Sequence, residues 1–327
     1  MPLSVAFVVD QNKIHTGPGF LFLNALRPGY GLRPLNNGLN PPSLVDPPAP
    51  AAWLGTHAYT AGAVVLDTNN NVEQALTTGT SGGTAPTWPL IVGQTVVDGG
   101  VTWSMAGPSW VCAATTATVL DQQVRDSNNN IQQVVVQGTT SGTTPTWSTV
   151  YGGITQDGTT EWQNYGPTLA SGAAEGAMTF EAAGKLLEIS ADQYTAPIGQ
   201  RLIGETAKVT GTLRELNMQV ITRALPNANY ATGSDPNLPA GAQTYEEVTF
   251  GGLVIVPLFC IVILSPRPNF VNPVRYASAT LYKAAPAGTG SWPFSLKKIS
   301  DYKVDWMGNA ITSRPSGDQI GKLERQI

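Results

Sequence analysis

The sequence predicts a mainly β protein: a β-sandwich or barrel with one packed α-helix, carrying two small inserted β modules. Three observations lead there. Charged residues make up only 12% of the chain, while glycine and proline number 35 and 25. Short β-branched runs alternate with Asn, Gly, Asp-Gly and Pro turns. One stretch of sequence also occurs twice in tandem.

A chain of 327 residues with 42% hydrophobic content suits two or three globular domains. The charged fraction is well below the ~25% of an ordinary soluble protein. Hydroxyls, amides or neighbouring subunits must therefore cover the surface, and assembly is expected from the outset. The charge is also uneven. Residues 48–167 carry Asp67, Glu73, Asp98, Asp121, Asp126, Asp157 and Glu161 against Arg125 alone, a net −6, and the rest of the chain is +2. Neither part has the basic run of a sequence-reading nucleic-acid binder. Cys112 and Cys260 fall in regions that read as separate domains, so no disulfide is expected between them. Met-Pro-Leu-Ser-Val at the N-terminus has neither the basic region nor the apolar core of a signal peptide. The most apolar run, Leu253 to Leu264, is too short for the roughly 20 residues of a membrane helix. Pro257 interrupts it, and it reads as two buried strands meeting at a bend.

The duplication is found by laying Asn69-Asn70-Asn71 over Asn128-Asn129-Asn130 and reading outward at a constant offset of 59. Gly79-Thr-Ser-Gly-Gly-Thr-Ala-Pro-Thr-Trp88 then falls on Gly138-Thr-Thr-Ser-Gly-Thr-Thr-Pro-Thr-Trp147. Asp98-Gly99 meets Asp157-Gly158, Trp103 meets Trp162, and Gly107-Pro108 meets Gly166-Pro167, with no gap. This predicts two copies of one compact β module, 48–107 and 108–167. Ala63–Leu66, Val101–Trp103, Val119–Val124 and Gln132–Val136 are its expected strands. The Asn-rich tips and Asp-Gly pairs supply the positive φ of tight turns.

Six of the eight tryptophans lie in these repeats. Modules this small need large rings to build a core, and that reading is preferred for Trp88, Trp103, Trp147 and Trp162. The competing reading makes those four indoles a stacking surface for host-surface glycans. The Gly79-Thr-Ser-Gly82, Pro86-Thr-Trp-Pro89 and Asp98-Gly-Gly-Val-Thr-Trp103 runs resemble modules of phage tail and fibre proteins, a resemblance that does not fix a ligand.

Residues 1–47 end in a Pro/Asn/Gly-rich stretch and hold too few apolar residues to fold alone. They are expected to join 168–327 in one discontinuous parent domain, with the repeats inserted as a self-contained, dispensable decoration. In the parent, Ala177–Glu181 and Leu186–Ser190 alternate as strands with a turn at Gly184, and Gly204–Thr212 forms a further strand. Thr212 and Glu215 fit a capping box, and Leu213, Leu216, Val220 and Leu225 recur at helical spacing up to Pro226. That predicts a helix packed on the sheet, with Arg214, Gln219 and Arg223 turned away from it.

The order in residues 177–226 is similar to that of siphophage tail tube proteins: a strand hairpin, an acidic Asp192-Gln193 loop reaching Pro197, a further strand, then a short helix. Arg275–Tyr282, Lys303–Trp306, Ser313, Pro315 and Asp318 resemble the closing strands and tail of the same family, so the resemblance covers most of 170–327. It implies a tail-tube-like sandwich assembled with itself into hexameric rings, stacked as a hollow tube in the virion. It also implies contacts with other tail proteins, passage of phage DNA without sequence specificity, no cofactor or metal, and no enzymatic activity. Asp192, Gln193, Tyr194, Pro197 and Arg201 match the family's long loop and are the expected ring-stacking contacts. The insertion near the N-terminus departs from the simplest members, which leaves the subfamily open. The other readings are a tail-tip or fibre glycan-binding protein and an adaptor forming a single ring. An enzyme reading has little support, because His15 and His57 are the only histidines and neither sits beside a nucleophile motif.

Overall fold

The fold was determined as a computed structural model. It describes residues 20–25, 35–36, 43–44, 49–170, 178–189, 199–213, 217–226, 228–251, 256, 258–271, 274–287, 302–312, 314 and 316–325. The protein is mainly β, with one short helix and several separate sheets.

The parent sheet is antiparallel, in the order Leu169–Ala170, Phe20–Leu23, Phe259–Val271, Val274–Pro286, Tyr302–Gly308, Gly199–Leu213, Thr179–Ile189. Gly321–Arg325 adds to the Val274–Pro286 strand. Phe20 opposite Leu264 and Phe22 opposite Ala170 bring the segments before and after the repeats into one sheet. Alternation explains why the first half of the Phe259–Val271 strand, Phe259 to Leu264, is apolar at every position. Phe259, Ile261 and Ile263 face the main core with Leu21 and Leu23, whereas Cys260, Val262 and Leu264 face a second cluster with Phe20 and Phe22. Both faces are buried, so no polar residue is tolerated on either.

Gly184 does not make a turn. It lies inside the continuous strand Thr179–Ile189, opposite Glu205, and a register shift between Lys185 and Leu186 absorbs the irregularity. Glycine in a strand marks a bulge as readily as a turn. Val119–Gln122 is likewise a turn, and strand begins only at Gln123.

The helix runs from Met218 to Ala224, with Asn217 as its N-cap, whose side chain accepts from the amides of Gln219 and Val220. The expected Thr212/Glu215 capping box is not the start. Thr212 belongs to the ladder opposite Lys303, and Glu215 lies outside the described residues. Cross-strand pairing holds the chain extended to Leu213, opposite Tyr302, and Asn217 is the first good cap beyond it. Leu225 is extended at φ −114°, as a residue before proline prefers, so Pro226 ends the helix as expected. Val220, Ile221, Ala224 and Leu225 pack on Val209, Val304 and Trp306. The Trp306 indole donates to the Arg223 carbonyl at 2.9 Å.

The repeats superpose element by element. In the first, Val64–Leu66, Asn71–Ala75, Thr95–Asp98 and Val101–Pro108 carry the sheet. In the second, the same offset gives Gln123–Arg125, Asn130–Val136, Ile154–Asp157 and Thr160–Pro167. Backbone strain repeats as well: φ is positive at Asn70 and Asn129, Gly99 and Gly158, Thr56 and Thr115. Each copy buries its tryptophans edge to face, Trp88 on Trp103 at 6.1 Å and Trp147 on Trp162 at 5.7 Å.

Asp98 organises the first copy. It accepts from the Gly82 amide at 2.7 Å and from the indoles of Trp53 and Trp103 at 2.9 and 3.0 Å. In the second copy Cys112 replaces Trp53, and Asp157 takes the amide and hydroxyl of Ser141 instead. The buried Trp162 indole is left without an acceptor. Asp98→Ala therefore strands three donors at once and is expected to cost the first repeat about 3 kcal/mol, measured by chemical unfolding.

Candidate assembly surface

A strongly exposed part of the parent is the outer half of the hairpin formed by Thr179–Ile189 and Gly199–Leu213. From Lys208 to Leu213 the hairpin merges with the sheet, because those residues pair with Tyr302–Met307. Beyond that point the two strands pair only with each other among the described residues. Residues of both parities are exposed, so neither face of this outer half is covered. It nevertheless exposes several large apolar side chains: Leu186 is 54% exposed, Leu187 51%, Ile189 45%, and Leu202 and Ile203 48% each. The outer edge of Thr179–Ile189 is also the open edge of the sheet among the described residues. The exposed Lys208–Glu181 pair at 2.9 Å lies at the inner end of the hairpin and adds little to the ladder.

Of the expected stacking residues, Asp192, Gln193, Tyr194 and Pro197 lie outside the described residues. The residues flanking them, Ile189 and Gly199, are paired with each other. Arg201 is exposed and stands opposite Leu187 in the ribbon. The apolar ribbon itself was legible as strands, but its exposure was not, because alternating apolar residues ordinarily signal a covered face.

The tryptophans go against the glycan-stacking reading. Trp88 and Trp147 are 6% and 7% exposed, Trp103 and Trp162 0% and 1%, so none offers a ring face to a sugar. The modules bury them because they have few other large side chains with which to fill a core. His57 is exposed and sits edge-on to Tyr59 at 4.7 Å. Burial and the adjacent Asp157 push the Cys112 thiol up to about 11, so it is poorly reactive. No cluster of His, Cys, Asp and Glu suited to a metal occurs among the described residues.

The second repeat is clamped to the parent. Arg223, expected to point away from the sheet, is instead buried with its guanidinium over the Tyr151 ring at 4.5 Å and near Phe259 at 5.9 Å. Its Nη1 has no hydrogen-bond partner, and burial lowers its proton affinity. Burial raises the Tyr151 hydroxyl, against the opposing pull of Arg223. Asn24 donates its side-chain amide to the carbonyls of Tyr165 and Gly166 at 2.8 and 2.7 Å. Arg125 reaches the Thr168 hydroxyl at 3.0 Å, and Lys283 pairs with Asp121 at 2.7 Å. Asp121 holds φ +65° where the first repeat has Gly62 at φ +90°, so a side chain has been placed in a strained position to reach Lys283. That mismatch between copies is the one signal of docking that the sequence contains. The first repeat is joined to the second through Val72, Ala106, Trp110 and Ile131. A cleft of about 1000 Å³ opens between the two repeats, bordered by Asn70, Trp110 and Gln122 and reached by Ile311 and Arg314 of the parent.

A scan against protein-family models finds no match, and neither does a search of curated proteins.

Proposed function

We propose that this chain is a structural subunit of a bacteriophage tail tube, assembling with itself into hexameric rings that stack as a hollow filament for DNA. The observation that carries the reading is the hairpin with Leu186, Leu187, Ile189, Leu202 and Ile203 uncovered on a two-stranded ribbon. Such a ribbon is marginal by itself in water. A neighbouring copy that covers it gains roughly 1 kcal/mol for each half-exposed side chain it buries. The open edge of Thr179–Ile189 allows the sheet to continue into the next subunit by strand pairing. Contacts of this head-to-tail kind close into rings around one axis and propagate without closure along another. The tube itself, as opposed to assembly in general, rests on the resemblance of residues 170–327 to tail tube proteins. The acidic repeats then face outward, where like charge keeps filaments apart.

Sedimentation velocity over a concentration series tests the assembly step. Rings and larger species should replace the monomer as concentration rises. A monomer that persists throughout contradicts the reading, and a closed oligomer retained on a glycan array favours a fibre protein instead.

A further inference from the structure

The two repeats differ at one buried position in a way that makes one of them sensitive to protons. In the second, Gln132 is 0% exposed and its amide donates to Asp126 Oδ2 at 2.7 Å. Asp126 in turn accepts from the amides of Asn128 and Asn130, both at 2.8 Å, and so holds the Asn-rich turn. In the first repeat Asp67 holds the equivalent turn through Asn69 and Asn71 at 2.8 and 2.7 Å. The residue at the glutamine position, however, is Glu73. It too is 0% exposed, and neither of its carboxyl oxygens has a hydrogen-bond partner. Its cross-strand neighbours, Val65 and Met105, are uncharged, and Asp67 is the ionisable group that acts on it. A carboxylate cannot copy the donor role of an amide. A protonated carboxyl can.

We propose that Glu73 keeps its proton in the folded first repeat, and that losing it loosens the Asn-rich turn and the joint with the second repeat. The turn is part of that joint, because the Asn70 carbonyl accepts from the Ser109 amide at 3.0 Å, next to Trp110. A carboxylate buried with no hydrogen-bond partner on either oxygen ionises only at a large desolvation cost. Burial, and then the charge of Asp67, push Glu73 up from 4.5 to about 8. The raised value fixes the sign. The folded repeat keeps a proton that the unfolded chain gives up, so the stabilisation is complete below about pH 4.5 and is lost as pH rises to about 8. Gln132, at the matching position, has no such proton to lose. The joint is thus a proton-operated latch carried by the first repeat.

Hydrogen exchange of the full chain, corrected for the intrinsic pH dependence of exchange, tests this. Amides of 69–75 and 105–110 should lose protection by about tenfold per pH unit toward the alkaline side, levelling above about pH 8. The matching amides of the second repeat should stay nearly constant. Glu73→Gln should abolish the fall, and Gln132→Glu should transfer it to the second repeat. An unchanged profile in Glu73→Gln overturns the proposal. So does a carboxyl carbon of Glu73, followed by NMR in the unsubstituted chain, that titrates in the ordinary carboxylate range.

Discussion

Replacing residues 186–203 with a two-residue Asn-Gly turn should abolish assembly while leaving the subunit folded. Lys185 and Gly204 stand opposite each other, so the shortened hairpin closes at an existing pair. The residues removed from the described strands are exposed apart from Gly199, and none belongs to the main core of Leu21, Val209, Phe259, Leu281 and Trp306. The subunit's own stability should therefore move by no more than about 1 kcal/mol. The apolar surface offered to a neighbour disappears altogether. Leu187→Glu with Leu202→Glu, one on each face of the ribbon, should act the same way without shortening the chain. Undisturbed assembly from either variant would remove the hairpin from the interface.

The second large effect concerns the repeats. Their in-phase duplication permits an excision of residues 49–107 that leaves one complete module, and this chain should fold cooperatively. Excision of 49–167 should instead unfold the parent or leave it molten. It uncovers Arg223 and Phe259, removes the acceptors of Asn24, and takes Asp121 from Lys283. The clamp thus narrows the expected dispensable decoration to the first repeat, which these two excisions test. Point variants separate the causes. Tyr151→Ala should cost about 2 kcal/mol, the value of a desolvated cation–π contact. Arg223→Met, which replaces a buried and incompletely paired cation with an apolar chain, should be neutral or stabilising. A freely folding parent without either repeat would show that the clamp contributes nothing.

These two expectations differ in how far the residues announced them. The duplication was fully legible, because turn chemistry is local: Asn-Asn-Asn, Asp-Gly and Pro-Thr-Trp recur at one offset, and every strand of the first sheet reappears where the offset places it, apart from the short Ala51–Ala52 strand. The helix was legible in kind and in its end at Pro226. Its start was not, since a β ladder outcompeted the capping box at Thr212. Gly184 was misread because a glycine between two apolar alternations looks the same for a turn and for a bulged strand. Arg223 was misread for a different reason. Its ring partner Tyr151 belongs to another module, and no local pattern reports a contact between modules. The exposed ribbon follows the same logic, for no local pattern reports whether a strand face is covered.

The central claim, that this subunit stacks into a tube, is tested most directly by negative-stain electron microscopy of the purified chain. The account predicts hollow filaments of stacked rings, with small density for two β modules per subunit on the outside. Isolated monomers, single rings that never stack, or module density within the channel would contradict it.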